Sequence, residues 1–346
     1  ESVGNVVDPR KIIEGGSNQK VHPAYGADTL RLWISSVDYT GDVCVGDHII
    51  KQASESYRKL RNTLRYLVGS LSGFDPAKDA VPLHELASID RYVLGRLSKT
   101  VQEVQVAYDE HQFYKANNAL VAFASTTLSA FYLDISKDRL YVSSVADKRR
   151  ASCQTVLHHV LEQLAVLMAP LVPHMSEDLW QNLPYTPSHK SVFEKGWPDS
   201  RASSSSSSAS YFPLHDEEKW ELVRKVRNDV NKVIETKRTA KLVGASQECR
   251  VVLFASDAET KKILSDMQGD AQMLCKAEKT NGCDDLRFVL IASQVTVVDT
   301  REDFTAACGG CREDDVSGAY ASAPYTVSDT ESESGLLIGV ARAEGY

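Results

Sequence analysis

No apolar run in this sequence approaches the roughly 18 residues that a membrane-spanning helix needs. The longest candidate, Leu161 to Val172, is interrupted by Glu162, Gln163 and Pro170. The first ten residues, Glu1 to Arg10, contain neither a basic n-region nor an apolar h-region, so no secretory signal is expected there. Cysteine is sparse: seven residues, at 44, 153, 249, 275, 283, 308 and 311, an odd number widely spaced, which is unlike a disulfide framework and points to a reducing compartment. A glycine-rich phosphate cradle, a paired-carboxylate site and a Ser-His-Asp arrangement are all missing. These gaps give no support for a self-contained catalytic centre and none for a membrane partner.

What is present is an ordinary globular composition over 346 residues, with 42% hydrophobic and 25% charged residues. That length allows two or three modules. The net charge of −8 argues against a polyanionic partner, but it is unevenly distributed. Residues 301–346 hold nine acids against Arg301, Arg312 and Arg342, and the remainder is close to neutral. Within it, residues 219–241 hold eight bases (Lys219, Arg224, Lys225, Arg227, Lys232, Lys237, Arg238 and Lys241) against three acids. A local excess of this kind can lie along phosphates even in an acidic chain.

Turn signals dominate residues 1–46, after which four helical patterns are expected, at Asp47–Leu71, Ser88–Asp109, Tyr114–Leu133 or beyond, and Lys148–Met168, the last ended by Pro170 and Pro173. In the first, Tyr57, Leu60, Leu64, Leu67, Val68 and Leu71 form an apolar stripe, and Arg58, Arg61, Asn62 and Arg65 recur on another face. Ser176, Glu177 and Asp178 suggest the cap of a short helix beginning at Leu179-Trp180 and stopping by Pro184. Six consecutive serines, Ser203 to Ser208, mark a linker. His215–Lys237 reads as helix, followed by strands at Glu248–Ala255 and Leu286–Val298, which flank a helical segment at Glu259–Leu274. A last short strand is expected at Leu336–Ala341, after an acidic insertion over residues 305–335. The partition is then 1–46, 47–199 (helical bundle), 200–214 (Ser-rich linker), 215–300 (basic helix and small α+β unit) and 301–346 (acidic tail). The pattern alone yields a helical bundle, a basic helix and a small α+β extension, and no activity.

A resemblance supplies one. Ser2-Val3-Gly4-Asn5-Val6-Val7-Asp8-Pro9 resembles the stretch that ends and follows the Lys-Met-Ser-Lys-Ser loop of class I aminoacyl-tRNA synthetases, with Glu1 standing where that family has its second lysine. Tyr25 to Trp33 is similar to the junction between nucleotide-binding and helical domains, and within it Asp28 and Arg31 are spaced to pair within one helical turn. Ser35 to Val43, followed by Tyr57-Arg58-Lys59-Leu60-Arg61-Asn62-Thr63-Leu64-Arg65-Tyr66-Leu67, resembles bacterial-type isoleucyl enzymes in particular. Leu128 to Ile135 with Lys137-Asp138-Arg139-Leu140-Tyr141, and Met168 to Trp180, look like later helices of the anticodon domain. Trp220 to Glu235, with Arg238, Lys241 to Gly244 and Ser246, resembles the start of the carboxy-terminal extension.

The resemblance implies a mainly α chain: the helical-bundle anticodon-binding domain of class I synthetases followed by a small α+β extension. It implies a carboxy-terminal fragment of an isoleucine-tRNA ligase, monomeric, with tRNA(Ile) as partner and with isoleucine and ATP handled by domains outside this chain. Ser2, Gly4 and Asn5 would be a remnant of the ATP loop, and no complete catalytic set is expected. Neither a His-Ile-Gly-His-type nucleotide motif nor an inserted editing domain is present in the sequence. For tRNA contact the candidates are Arg58, Arg61, Asn62 and Arg65, then Arg227, Lys232, Lys237, Arg238 and Lys241. The bland alternative for both groups is a solvated helix face. ATP and Mg would be cofactors of the parent enzyme; the resemblance allows a zinc knuckle beyond Tyr346, and no bound cofactor is expected here.

Cys308 and Cys311 lack a second Cys-x-x-Cys pair and read as insertion residues rather than a metal site. His158 and His159 are adjacent and expected on different helix faces. His174 has no nucleophile to serve. Trp220 reads as a packing residue. A cytoplasmic enzyme, or one in a mitochondrion or plastid of a eukaryote, fits the sequence. The alternatives are the corresponding part of a valyl, leucyl or methionyl enzyme, or a helical protein-binding adaptor.

Overall fold

In the computed structural model the described residues are 7–18, 20, 22–41, 43–197, 212–213, 216–268, 284–308, 325–327 and 336–343. Ser2, Gly4, Asn5, the serine run, Cys311 and most of the acidic insertion lie outside them. The chain divides into two compact units, Glu1–Leu86 with Val93–Leu214, and Ala87–Tyr92 with His215–Tyr346.

The first unit is helical. It contains α1 (Pro9–Ile13), α2 (Ala27–Ser35), α3 (Asp47–Ser70), α4 (Pro76–Asp79), all of α5 (Ser88–Asp109) beyond its first turn, α6 (Phe113–Ala122), α7 (Leu133–Ile135), α8 (Lys137–Tyr141), α9 (Lys148–Met168) and α10 (Pro173–Gln181). Helix α9 runs through the core: Cys153, Val156, Leu157, Val160, Leu161, Leu164 and Leu167 are each fully buried. At 100° per residue these seven fall within about 140° of one another, a broad apolar face that has to be enclosed. Helix α3 has one buried column, Leu60, Leu64, Leu67 and, just past its end, Leu71, leaving the opposite face free for charge.

Between α6 and α7 the chain stays helical but widens into a π-helix, Phe123–Tyr132, closed by Leu133 N–H donating to the Leu128 carbonyl five residues back. Its buried residues come in pairs every four positions: Phe123 and Ala124, Thr127 and Leu128, Phe131 and Tyr132. In an α-helix a four-residue repeat drifts by about 40° per step, and widening the turn offsets that drift. The helical stretch Phe113–Ile135 is long and apolar enough to cross a membrane by length and composition, its most apolar 18-residue window having a mean hydropathy of 1.2. No such run was expected from the sequence. Half of that window is buried in the protein, and core helices pass the same test.

The α9–α10 connection corrects the sequence expectation. Pro173 does not merely end what precedes it; it is the first residue of α10, where its missing N–H costs nothing. Asp28 and Arg31, expected to pair within α2, instead reach this connection separately. Asp28 Oδ2 accepts the Met175 N–H at 2.8 Å, and its Oδ1 lies 2.8 Å from His174 Nδ1, so a carboxylate sits on the open amides of α10. Arg31 donates to the carbonyls of Leu171 (3.2 Å) and Pro170 (3.0 Å), just past the end of α9. Each charge meets the helix end of opposite polarity.

The second unit is α+β. It contains the first turn of α5, then α11 (Glu217–Thr239), β1 (Cys249–Ala255), α12 (Ala258–Met267), α13 (Leu286–Leu290), β2 (Gln294–Val298), α14 (Arg301–Ala307), β3 (Tyr325–Val327) and β4 (Leu336–Arg342). The sheet order is β2-β1-β4-β3, with β1 parallel to β2 and antiparallel to β4. Register pairs Val251 with Val295 and Val252 with Gly339. Leu336 to Ala341 are all buried, so β4 is covered on both faces. Gly339 is required there: a Cβ on it would lie 2.6 Å from Cys308 Sγ.

The expected strand at Leu286–Val298 is two elements. Asp285 accepts the Arg287 N–H and starts a helix, and Ile291 at φ 54° ends it before β2 begins at Gln294. Cap and turn geometry here override the strand preference of Leu, Phe and Val.

Candidate RNA-binding surfaces

The α3 candidates share one outward face. At 100° per residue Arg58, Arg61, Asn62 and Arg65 fall within about 100° of one another, opposite the leucine column. Arg58, Asn62 and Arg65 are exposed, and Arg61 is half-buried. Arg58 pairs with Glu55 one turn back and holds that carboxyl below its usual range, first through the hydrogen bond itself. Arg61 reaches Asp178 at 3.1 Å. Arg65 is paired with no carboxylate among the described residues. Exposed pairs of this sort are weak and screened by salt, so a phosphate can displace them.

The α11 candidates divide. Trp220, Val223, Arg227, Val230, Ile234 and Lys237 follow one another at alternating steps of three and four, and all are buried. Arg227 and Lys237 therefore stand on the packed face. Arg227 donates to the Val289 carbonyl, which commits its guanidinium to α13. The other three are exposed near the helix end. Lys232 bridges Asp229 at 3.2 Å with its own side chain 63% exposed. Arg238 pairs with Glu235 and donates to the Gly244 carbonyl at 3.1 Å. Lys241 sits in the left-handed turn that closes the helix: Leu242 N–H reaches the Lys237 carbonyl at 3.1 Å and Lys241 N–H reaches Arg238 at 2.9 Å. This is a Schellman cap with lysine where glycine is usual.

Other candidates are structural. Trp220 is fully buried, stacked on Tyr92 at 6.0 Å, with its indole N–H on Ser88 at 2.9 Å. Cys308 lies in an apolar cluster with Val252, Phe304 and Leu337. His158 and His159, expected on different faces, have ring centroids 5.2 Å apart. Burial pushes both down to about 4. Among the described residues no three metal-capable side chains stand together.

Residues 90–253 match the family model described as the anticodon-binding domain of tRNA ligase. Isoleucine–tRNA ligases of Thermosynechococcus vestitus and Nostoc punctiforme are 44% and 46% identical over 298 and 297 residues, 86% of this chain in each case. That of Rippkaea orientalis is 41% identical over 100% of it.

The chain belongs to the isoleucine–tRNA ligase family.

It spans about a third of the length of these relatives, 30% of the first two and 33% of the third. A solved leucyl enzyme, Agrobacterium radiobacter K84 agnB2 LeuRS with tRNA and LeuAMS, is 16% identical over 80% of this chain and 28% of that one, with a TM-score of 0.39. The family match begins at Asp90 and ends at Leu253, so it takes in α11 and most of β1 but not α3. The α3 stripe falls under the full-length similarity to the isoleucine–tRNA ligase of R. orientalis.

Proposed function

We propose that this chain is the tRNA-binding, anticodon-arm part of an isoleucine–tRNA ligase. The parent enzyme would form isoleucyl-adenylate from isoleucine and ATP, with Mg, and transfer isoleucine to tRNA(Ile). The observation that carries the reading is the exposed stripe Arg58, Arg61, Asn62 and Arg65 on a helix whose other face is core, in a chain 41% identical to such an enzyme from end to end. Fork-shaped guanidinium groups suit phosphates and base edges, and an amide can pair with either.

In this reading residues 47–199 form the anticodon bundle and residues 215–300 a second tRNA-binding extension, with Lys232, Arg238 and Lys241 as its exposed contacts. Arg227 and Lys237 support that helix from its packed side. Ser2, Gly4 and Asn5 would contribute the end of an ATP loop. The cyanobacterial relatives fit a bacterial-type enzyme working in a cytoplasm, mitochondrion or plastid.

The test is binding of transcribed tRNA(Ile) across a salt series. Replacing Arg58, Arg61 and Arg65 together by Ala is expected to weaken binding and flatten the salt slope by roughly one per lost phosphate contact. A wild-type affinity that ignores salt would favour a protein-binding adaptor. Equal affinity for valine or leucine tRNAs would remove the isoleucine assignment. The chain alone is expected to show no ATP–pyrophosphate exchange.

A further inference from the structure

Against the flank of α3 lies an aromatic residue that packing leaves largely in solvent. Tyr141, the last residue of α8, is 66% exposed, more than Phe193 (60%), Tyr39 (47%) or Trp197 (39%). It is nevertheless held firmly. The two residues before it are anchors: Leu140 is buried, and buried Arg139 lies 5.6 Å over the Tyr132 ring and donates to Ser136 at 3.0 Å. The chain after it is tied back by Val142 and Ser143 N–H groups, both on the Asp138 carbonyl at 3.0 and 3.2 Å. Tyr141 then meets the ring of Tyr66 edge to face, centroids 6.4 Å apart and planes at 80°.

Tyr66 gives this contact its meaning. It follows Arg65 in α3 and stands one turn beyond Asn62, on the flank of the basic stripe. An edge-to-face pair fixes the Tyr141 ring while leaving much of it open to solvent. Val142 and Val145, 79% and 81% exposed, add apolar surface nearby. One ring and two valines make too small a patch for a protein partner, for which several hundred Å² is usual. An exposed ring packed on the flank of a helix whose outer face carries guanidinium groups offers what single-stranded RNA is held by: cations for phosphates and a ring for a base.

We propose that Tyr141 is a stacking platform for an unpaired base of the RNA whose backbone lies on the Arg58–Arg65 stripe. This deepens the tRNA-binding reading and rests on it. Stacking on a preformed ring is tolerant of base identity, so Tyr141 adds affinity and register while base edges are read by the neighbouring polar side chains.

The test uses the full chain and transcribed tRNA(Ile) carrying a fluorescent purine analogue in the anticodon loop. Tyr141→Ala is expected to weaken binding by about 5- to 100-fold with an unchanged salt slope and to abolish the quenching of the analogue, whereas Tyr141→Phe stays within about two-fold. Arg65→Ala, run beside them, is expected to lower the salt slope by about one. Because the ring is exposed, circular dichroism should be the same for all variants. If Arg65→Ala weakens binding while Tyr141→Ala binds and quenches like wild type, the stacking role is wrong and the tRNA reading stands. If the wild-type chain itself fails to bind, or binds without salt dependence, both fall.

Discussion

Acidification from pH 7 to pH 5 is expected to destabilise the helical unit by about 3 kcal/mol, through two neighbouring rings on α9. His158 and His159 sit in the core side by side, the first 2.8 Å from the Tyr185 hydroxyl and the second edge-on to Phe212 at 5.1 Å. Burial holds both near 4 when folded, and the charges of Lys195 on His158 and of His158 on His159 act in the same direction, with Glu162 opposing at His159. In the unfolded chain each returns to about 6.5. The native form is therefore neutral, and as pH falls below about 6.5 the unfolded chain takes up protons first. The stability is fully present above that value, declines through the window from 6.5 to 4, and is lost beneath it.

Each ring contributes on the order of 2 kcal/mol of the change between pH 7 and 5, and somewhat less where the rings are partly hydrated. Urea unfolding followed by far-UV circular dichroism reads the effect directly, as a fall in midpoint of roughly 1–3 M. The double replacement His158→Asn with His159→Phe keeps a hydrogen-bonding group and a ring in place and should remove more than half of the pH dependence. An equal midpoint at both pH values, or an unaltered dependence in the double variant, would refute the assignment.

Further outcomes follow from the same kind of reasoning. Asp28→Asn should cost about 1–3 kcal/mol, because an amide turned toward the Met175 N–H loses the charge and can set a donor against a donor; thermal unfolding of the variant measures it. Ile291→Gly should stabilise by about 1 kcal/mol, since a β-branched residue at φ 54° is strained, and no gain in midpoint would show the strain is relieved elsewhere. Lys241→Gly should separate two properties, raising stability by about the same amount while weakening tRNA binding and its salt slope. Gly339→Ala should destabilise by about 1–3 kcal/mol through its approach to Cys308 Sγ, and Cys308→Ala in the same chain should recover part of the loss.

The helices of the first unit were legible because their apolar residues recur at helical spacing over five or six turns, as in α3 and α9. What the pattern could not show was where helix ends find partners. Asp28 and Arg31 read as a local pair because their spacing is local, yet each is drawn 140 or more residues along the chain to a helix end with open amides or carbonyls. Pro173 read as a stop because proline ends one helix as readily as it begins another. Arg227 and Lys237 were grouped with other bases by charge, although their three- and four-residue spacing to Trp220, Val223, Val230 and Ile234 already placed them on the buried stripe. The spacing was the better guide. For Leu286–Leu290 the decisive signal was Asp285 as a cap, a single residue set against a run of good strand formers. Tyr141 lies in a stretch that resembles the family, but its exposure, beside an inward-turned Arg139, is visible only in the fold.

The stacking of Trp220 on Tyr92 has a consequence for synthesis. Ser88 and Tyr92 belong to the second unit, yet they leave the ribosome about 124 residues before α11 begins, a delay of roughly 6–25 s at ordinary elongation rates. During that interval the first turn of α5 has no Trp220 to cover it, while the rest of α5 can already be drawn into its own unit. Emergence of α11, rather than local helix formation, would then set when Tyr92 is covered, and a ribosome stalled between residues 109 and 220 would hold a tyrosine side chain still waiting for its partner.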